Sequence, residues 1–152
     1  MEVWFYHLQS QRLEQTLPAL LERALANGWR TVVQASSEER LDIIDEVLWT
    51  YADASFLAHG RARDGDADMQ PVYLTCAAEN PNGARLRLFI DGADAAAHLA
   101  ADAAYERAIL LFDGNDSDQV GAARAQWKIL KEQGVPITYW QQNERGGWEK
   151  KA

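Results

Sequence analysis

Hydrophobic and polar positions along the chain change period several times, and each change marks an element. Val3 to Leu8 (VWFYHL) is a continuous apolar and aromatic run of strand length, the pattern of a strand buried on both faces. Leu13, Leu17, Leu20, Leu21, Ala24 and Leu25 then recur at helical spacing, and Gly28 suits the stop. Thr16 followed by Pro18 places the regular start of that helix near those residues, with proline in its first turn. TVVQA (31–35) reads as a second strand. Ser36 and Glu39 have capping-box spacing, which predicts a helix from there to about Tyr51 with Leu41, Ile44, Val47 and Leu48 inward.

From Ala52 to Gln70 the pattern loses its period, and the segment reads as a long surface loop that oddly carries Phe56 and Leu57. PVYLTCA and ARLRLFIDG flank Asn80-Pro81-Asn82-Gly83, so two strand-like runs around an Asn-Gly turn predict a hairpin. Ala93 to about Tyr105 reads as helix, AILLF (108–112) as a buried strand, and 116–133 as a last helix stopped by Gly134. ITYW (137–140) closes as a short strand, and about 141–152 reads as a polar tail with one tryptophan. Strand and helix alternate through most of the length. The expected fold is therefore α/β: a Rossmann-like three-layer sandwich whose mostly parallel, mixed sheet contains one hairpin, in a single domain over 1–152.

Composition narrows the function classes. No run of 18 apolar residues is present, and MEVWFYHLQ lacks the basic-then-apolar order of a signal peptide. Cys76 is the only cysteine, which excludes an intramolecular disulfide and disfavours a thiolate zinc site; together these features favour the cytoplasm. Fifteen basic residues against 23 acidic ones give a net charge of −8, so nucleic acid is repelled by most of this surface. Any link to DNA should be indirect or confined to one local patch.

Catalytic patterns are absent. Neither GxxxxGK[ST] nor GxGxxG occurs, no serine sits in a GxSxG elbow, and His7, His59 and His98 fall in different elements. Asp91-Gly92 and Asp113-Gly114 follow buried strands, where an open α/β sheet binds ligands, so two carboxylates there could hold magnesium. Aspartate beside glycine is also an ordinary strand-ending turn, and that reading is preferred.

The last helix is different. Val120, Ala123, Trp127 and Leu130 share one face, while Arg124, Lys128 and Lys131 follow i, i+4, i+7 beside it. Between 124 and 131 there are three basic residues and no acidic one, in a protein of net charge −8. Trp127 could anchor the helix in the core, and the cations could be a solvated face favoured by the helix dipole. Alternatively, the pair forms a patch for a carboxylate or an acidic peptide.

The chain resembles the chi subunit of bacterial DNA polymerase III, an accessory subunit of the clamp-loader complex. The matching segments are FYHL, GWR, LDIIDEVLW, SFLAHG, QPVYLT, ENPNGA, ILLFDG, AARAQWK and GGWEKKA, in that order over essentially the whole length. Ala58 stands where relatives often have proline. The resemblance implies an adaptor without catalytic activity, cofactor or metal. Its expected partners are the acidic, phenylalanine-terminated tail of single-stranded-DNA-binding protein and the psi subunit, which joins it to the clamp loader. Arg124, Trp127 and Lys128 match the family's tail-binding positions, and Trp49 and Phe56 match those on the psi side. The rival expectation is a metal- or nucleotide-dependent α/β enzyme using Asp91 and Asp113.

Overall fold

Alternation along the first strand, β1 (Glu2–Leu8), divides the molecule into two cores. Tyr6 is buried on one side with partly buried Trp4, whereas Val3 and Phe5 are buried on the other. The structure, a computed structural model, describes residues 1–51, 58–99, 105–145 and 147–151.

Helix α1 runs Leu13–Ala26 and so begins before Thr16, with Pro18 inside it and buried. Gly28, at φ +78°, ends it with the N–H of Trp29 on the Ala24 carbonyl and that of Gly28 on Leu25, both 2.9 Å, the two bonds of a Schellman stop. β2 is Thr31–Gln34 and α2 is Glu38–Thr50. The cap of α2 is Ser37 rather than Ser36, its hydroxyl accepting the Arg40 N–H at 3.3 Å. Leu41, Ile44 and Leu48 are buried as the spacing predicts, whereas Val47, expected with them, is only half-buried.

The segment expected as loop contributes a two-residue strand, β3 (Gly60–Arg61), followed by two 3-10 turns at Ala62–Asp64 and Ala67–Met69. The hairpin expected around Asn80–Gly83 does not form. β4 (Val72–Thr75) and β5 (Leu86–Phe89) lie on opposite sides of β2 and both run parallel to it. All four residues of each strand are buried, the continuous burial of interior strands in a parallel sheet, and each has a parallel neighbour on both sides. The buried Asn82 amide holds the turn in place, donating to the carbonyls of Thr31 (3.2 Å) and Gln70 (2.9 Å).

Within the stretch expected as one helix, α3 spans Ala95–His98, and residues 100–104 lie outside the described set. β6 (Arg107–Asp113) and α4 (Ser117–Glu132) follow. β7 (Ile137–Gln142) is longer than expected, and the polar tail folds back as β8 (Trp148–Lys150) antiparallel to it. Trp148 supplies the reason, lying 4.4 Å from the Tyr6 ring.

The strand order is β3-β4-β2-β5-β6-β1-β7-β8, and every pairing is parallel except β7–β8. Leu17 and Leu21 of α1 and Leu41, Ile44 and Leu48 of α2 pack on Val33, Leu74 and Leu88 on one face. Ala123 and Leu130 of α4 pack with Phe5, Phe89 and Leu110 on the other. The result is a three-layer α/β sandwich with a mostly parallel sheet, as the alternation of elements predicts.

Candidate functional site

Helix α4 is fixed at both ends. The Asp116 carboxylate accepts the N–H groups of Asp118 (2.9 Å) and Gln119 (3.3 Å), and Gly134 at φ +75° ends the helix. Its inner face is the expected one: Ala123 and Leu130 are buried, and Val120 and Trp127 pack partly buried against the core. Trp127 meets Phe5 edge-on at 5.3 Å and Tyr139 at 5.9 Å. The ring is thus a packing element, but its burial is incomplete.

The reason is a pocket of about 400 Å³ between α4 and strands β1, β6 and β7. Phe5, Phe112, Val120, Trp127 and Tyr139 form apolar walls, and exposed Arg124 lies on its border. Lys128, also exposed, stands one turn further along the helix and does not line the pocket. His7 also lines it, with Nδ1 hydrogen-bonded to the Tyr139 hydroxyl. Burial pushes the His7 pKa down, and the Asp113 carboxylate partly opposes that shift. The pocket is therefore apolar inside, with positive charge at the border and beyond it. An aromatic ring attached to an anionic group fits that arrangement.

Trp49 lies elsewhere, in the last turn of α2 on the opposite face of the sheet. Its side chain is 56% exposed and its ring is 4.8 Å from that of His59. Phe56, the other expected psi-side residue, lies outside the described residues.

Asp91 and Asp113 border a cavity of about 630 Å³ at the carboxyl ends of the strands. Asp91 has φ +54° and accepts two bonds from Arg40, at 2.8 and 3.1 Å. Asp113 Oδ1 accepts the Asn115 N–H at 2.8 Å, a side-chain-closed turn. Among the described residues, no group of three or more His, Cys, Asp or Glu could hold a metal ion.

The loop after β1, where a doubly wound fold usually cradles phosphate, is already filled. The N–H groups of Gln9, Ser10 and Gln11 converge on Oε1 of Gln142 at 3.1, 3.0 and 2.9 Å, and Gln142 is 1% exposed. The chain supplies its own acceptor to the anion nest.

A family model described as "DNA polymerase III chi subunit, HolC" matches residues 1–138. The chain belongs to the DNA polymerase III chi-subunit family. Among curated proteins, a probable DNA polymerase III subunit chi from Rickettsia prowazekii (strain Madrid E) is 26% identical over 91 residues. That stretch is 60% of this chain and 55% of the relative, so the chain spans about half the length of the curated relative it matches. The match to the chi family contains every pocket residue named above except Tyr139. Among the described residues, no helix is long and apolar enough to cross a membrane.

The sequence pointed to Arg124, Trp127 and Lys128 but not to Phe5, His7, Phe112 or Tyr139. Strand alternation alone places Phe5 and Phe112 on a face. Only the parallel register, in which His7 pairs with Phe112 and Phe5 with Tyr139, brings them under α4.

Proposed function

We propose that this chi-family protein is a non-catalytic, cytoplasmic replisome adaptor. It holds the acidic C-terminal tail of single-stranded-DNA-binding protein, and it reaches the clamp loader through a psi subunit. The observation that carries this reading is the aromatic-walled pocket of about 400 Å³ with Arg124 on its border and Lys128 one turn beyond. A terminal phenylalanine ring fits the walls, and the carboxylates around it meet cations held on a capped helix. Exposed Trp49 on the far face supports a separate psi-side surface, to which Phe56 also belongs. DNA is then contacted through the tail-bearing partner.

The enzyme reading is disfavoured because Asp91 is engaged by Arg40 and the phosphate nest is occupied by Gln142. Titration of the tail peptide with and without magnesium separates the two. Binding should need no metal and should collapse when the terminal phenylalanine is deleted. Binding that requires magnesium or ignores the phenylalanine would refute the adaptor reading.

A further inference from the structure

The helical cover over the α1–α2 face of the sheet thins toward β1, β7 and β8. Trp4, Trp140 and Trp148 remain partly exposed there, as does Trp29 just after α1. Register puts them on one side of the sheet: Tyr6 pairs with Trp140, Gln142 with Trp148, and Trp140 with Lys150. The rings form a row, with Trp4 5.4 Å from Trp140 and Trp148 4.4 Å from Tyr6.

Cations interleave this row. The Arg107 guanidinium carbon lies 3.6 Å from the centre of the Trp4 ring and 5.5 Å from that of Trp29, and its Nε is buried with no acceptor. Arg23 and Arg107 border a cavity of about 150 Å³ between Trp4 and Trp29. A cavity of that size accommodates one aromatic ring. Arg40, Arg61 and Arg63 each have a carboxylate partner; among the described residues, Arg23, Arg107 and Lys150 have none within ion-pair distance. Most basic side chains lack an ion pair among the described residues; what sets this face apart is that three of the chain's 15 cations stand beside four of its six tryptophans. Glu2 is a nearby acid: its carboxylate accepts the Trp4 indole N–H and the Thr138 hydroxyl, and the charges of Arg107 and Lys150 help to lower its pKa, so it offsets part of the positive charge here.

We propose that this basic–aromatic platform on the β1–β7–β8 side of the sheet holds a short stretch of single-stranded nucleic acid. Bases stack on the tryptophans, and phosphates meet Arg107, Arg23 and Lys150. A row of several indoles with a ring-sized cavity suits successive bases, whereas an acidic tail with one terminal ring, as proposed at α4, would engage one ring and leave the others idle. The net charge of −8 keeps the contact weak and strongly salt-dependent. This contact goes beyond the adaptor reading and does not rest on it, because the tail pocket lies on the other face of the sheet.

The test uses the intact chain and fluorescein-labelled oligo(dT), read by anisotropy and by quenching of tryptophan fluorescence at low salt. Wild type should bind with quenching, and a log–log salt slope of about −2 corresponds to three phosphate contacts on a single strand. The double variant Arg23→Glu/Lys150→Glu changes two exposed side chains, and Trp29→Ala provides a second probe of the row. The double variant should weaken oligo(dT) by about tenfold or more while leaving tail-peptide affinity unchanged. The proposal is overturned by no binding at low salt or by a double variant that binds like wild type. It is equally overturned if Lys128→Glu removes the binding, which would place the strand on α4. Displacement by polyglutamate as effective as by unlabelled oligo(dT) would mark a general acidic-polymer surface instead.

Discussion

At the scale of single residues, two positions combine close packing with a polar requirement. A Cβ on Gly114 would overlap the His7 ring at Nε2 and approach the Leu8 carbonyl at 2.9 Å. Gly114→Ala should therefore push the imidazole toward the aromatic pocket, weakening tail-peptide binding beyond any loss of stability. Comparing peptide affinity with melting temperature checks this, and unchanged affinity in a folded variant would exclude His7 from the pocket wall. Arg87 is 0% exposed and bonds from Nε, Nη1 and Nη2 to Gln34 Oε1, the Tyr105 hydroxyl and the carbonyls of Ala77 and Glu79. Arg87→Met removes a buried charge, which alone is favourable, but it strands those acceptors. The second effect should win, destabilising by about 2–4 kcal/mol in denaturant unfolding. A neutral or stabilising result would mean that water replaces the guanidinium at the loop carbonyls.

At the scale of elements, the edge strand β3 is held by ion pairs more than by apolar contact. Arg61, 5% exposed, bonds Glu38 at 2.6 Å and Asp42 at 2.5 Å, and His59 Nε2 meets Asp45 at 2.8 Å. Hydrogen bonds from Cys76 and then Arg61 lower the Glu38 pKa, and the Arg61 bond lowers that of Asp42. Lowered carboxylate values mean stability that is present above the ordinary values of 4.5 and 3.8 and lost as pH falls through the folded-state ones. With the intrinsic slowing of exchange in acid divided out, the protection of the Gly60 amide should fall as pH drops, and Arg61→Gln should remove most of that pH dependence. The Arg61 N–H is no reporter, since it donates to the Asp64 carboxylate at 2.8 Å. An acid-insensitive β3 would assign its stability to backbone pairing alone. No helical or alternating period announces a two-residue strand held by side-chain charge, which is why 52–70 reads as loop. The false hairpin at Asn80–Gly83 has the opposite cause. The turn signal is local and real, since Gly83 has φ +64°, but β2 fits between the two strands and no local signal encodes that. The four long periodic elements, β1, α1, α2 and α4, were legible because each satisfies its burial pattern within its own length. The Gln142 plug was not, because its acceptor and the loop it fills are 131 to 133 positions apart.

At the scale of the whole molecule, the sheet separates two surfaces that an adaptor must occupy at once. Arg124 and Lys128 belong to α4 over one face, and Trp49 belongs to α2 over the other. The two cores lie on opposite faces of the sheet, so a change in one surface side chain has no direct path to the other surface. Lys128→Glu should weaken the tail peptide by about 1–3 kcal/mol, the scale of a charge-assisted hydrogen bond, and that loss should shrink as salt rises. Trp49→Ala should leave tail affinity and melting temperature nearly unchanged, because its side chain is more than half exposed, while reducing co-purification with the clamp loader. In a double-mutant cycle the two effects on tail affinity and clamp-loader retention should add to within about 0.5 kcal/mol, as distant sites without shared partners do. A coupling well above that would require a two-state element linking α2 to α4 through the sheet. Salt-insensitive tail binding that ignores Lys128→Glu would move the tail off the basic stripe and leave Trp127 as a packing residue only.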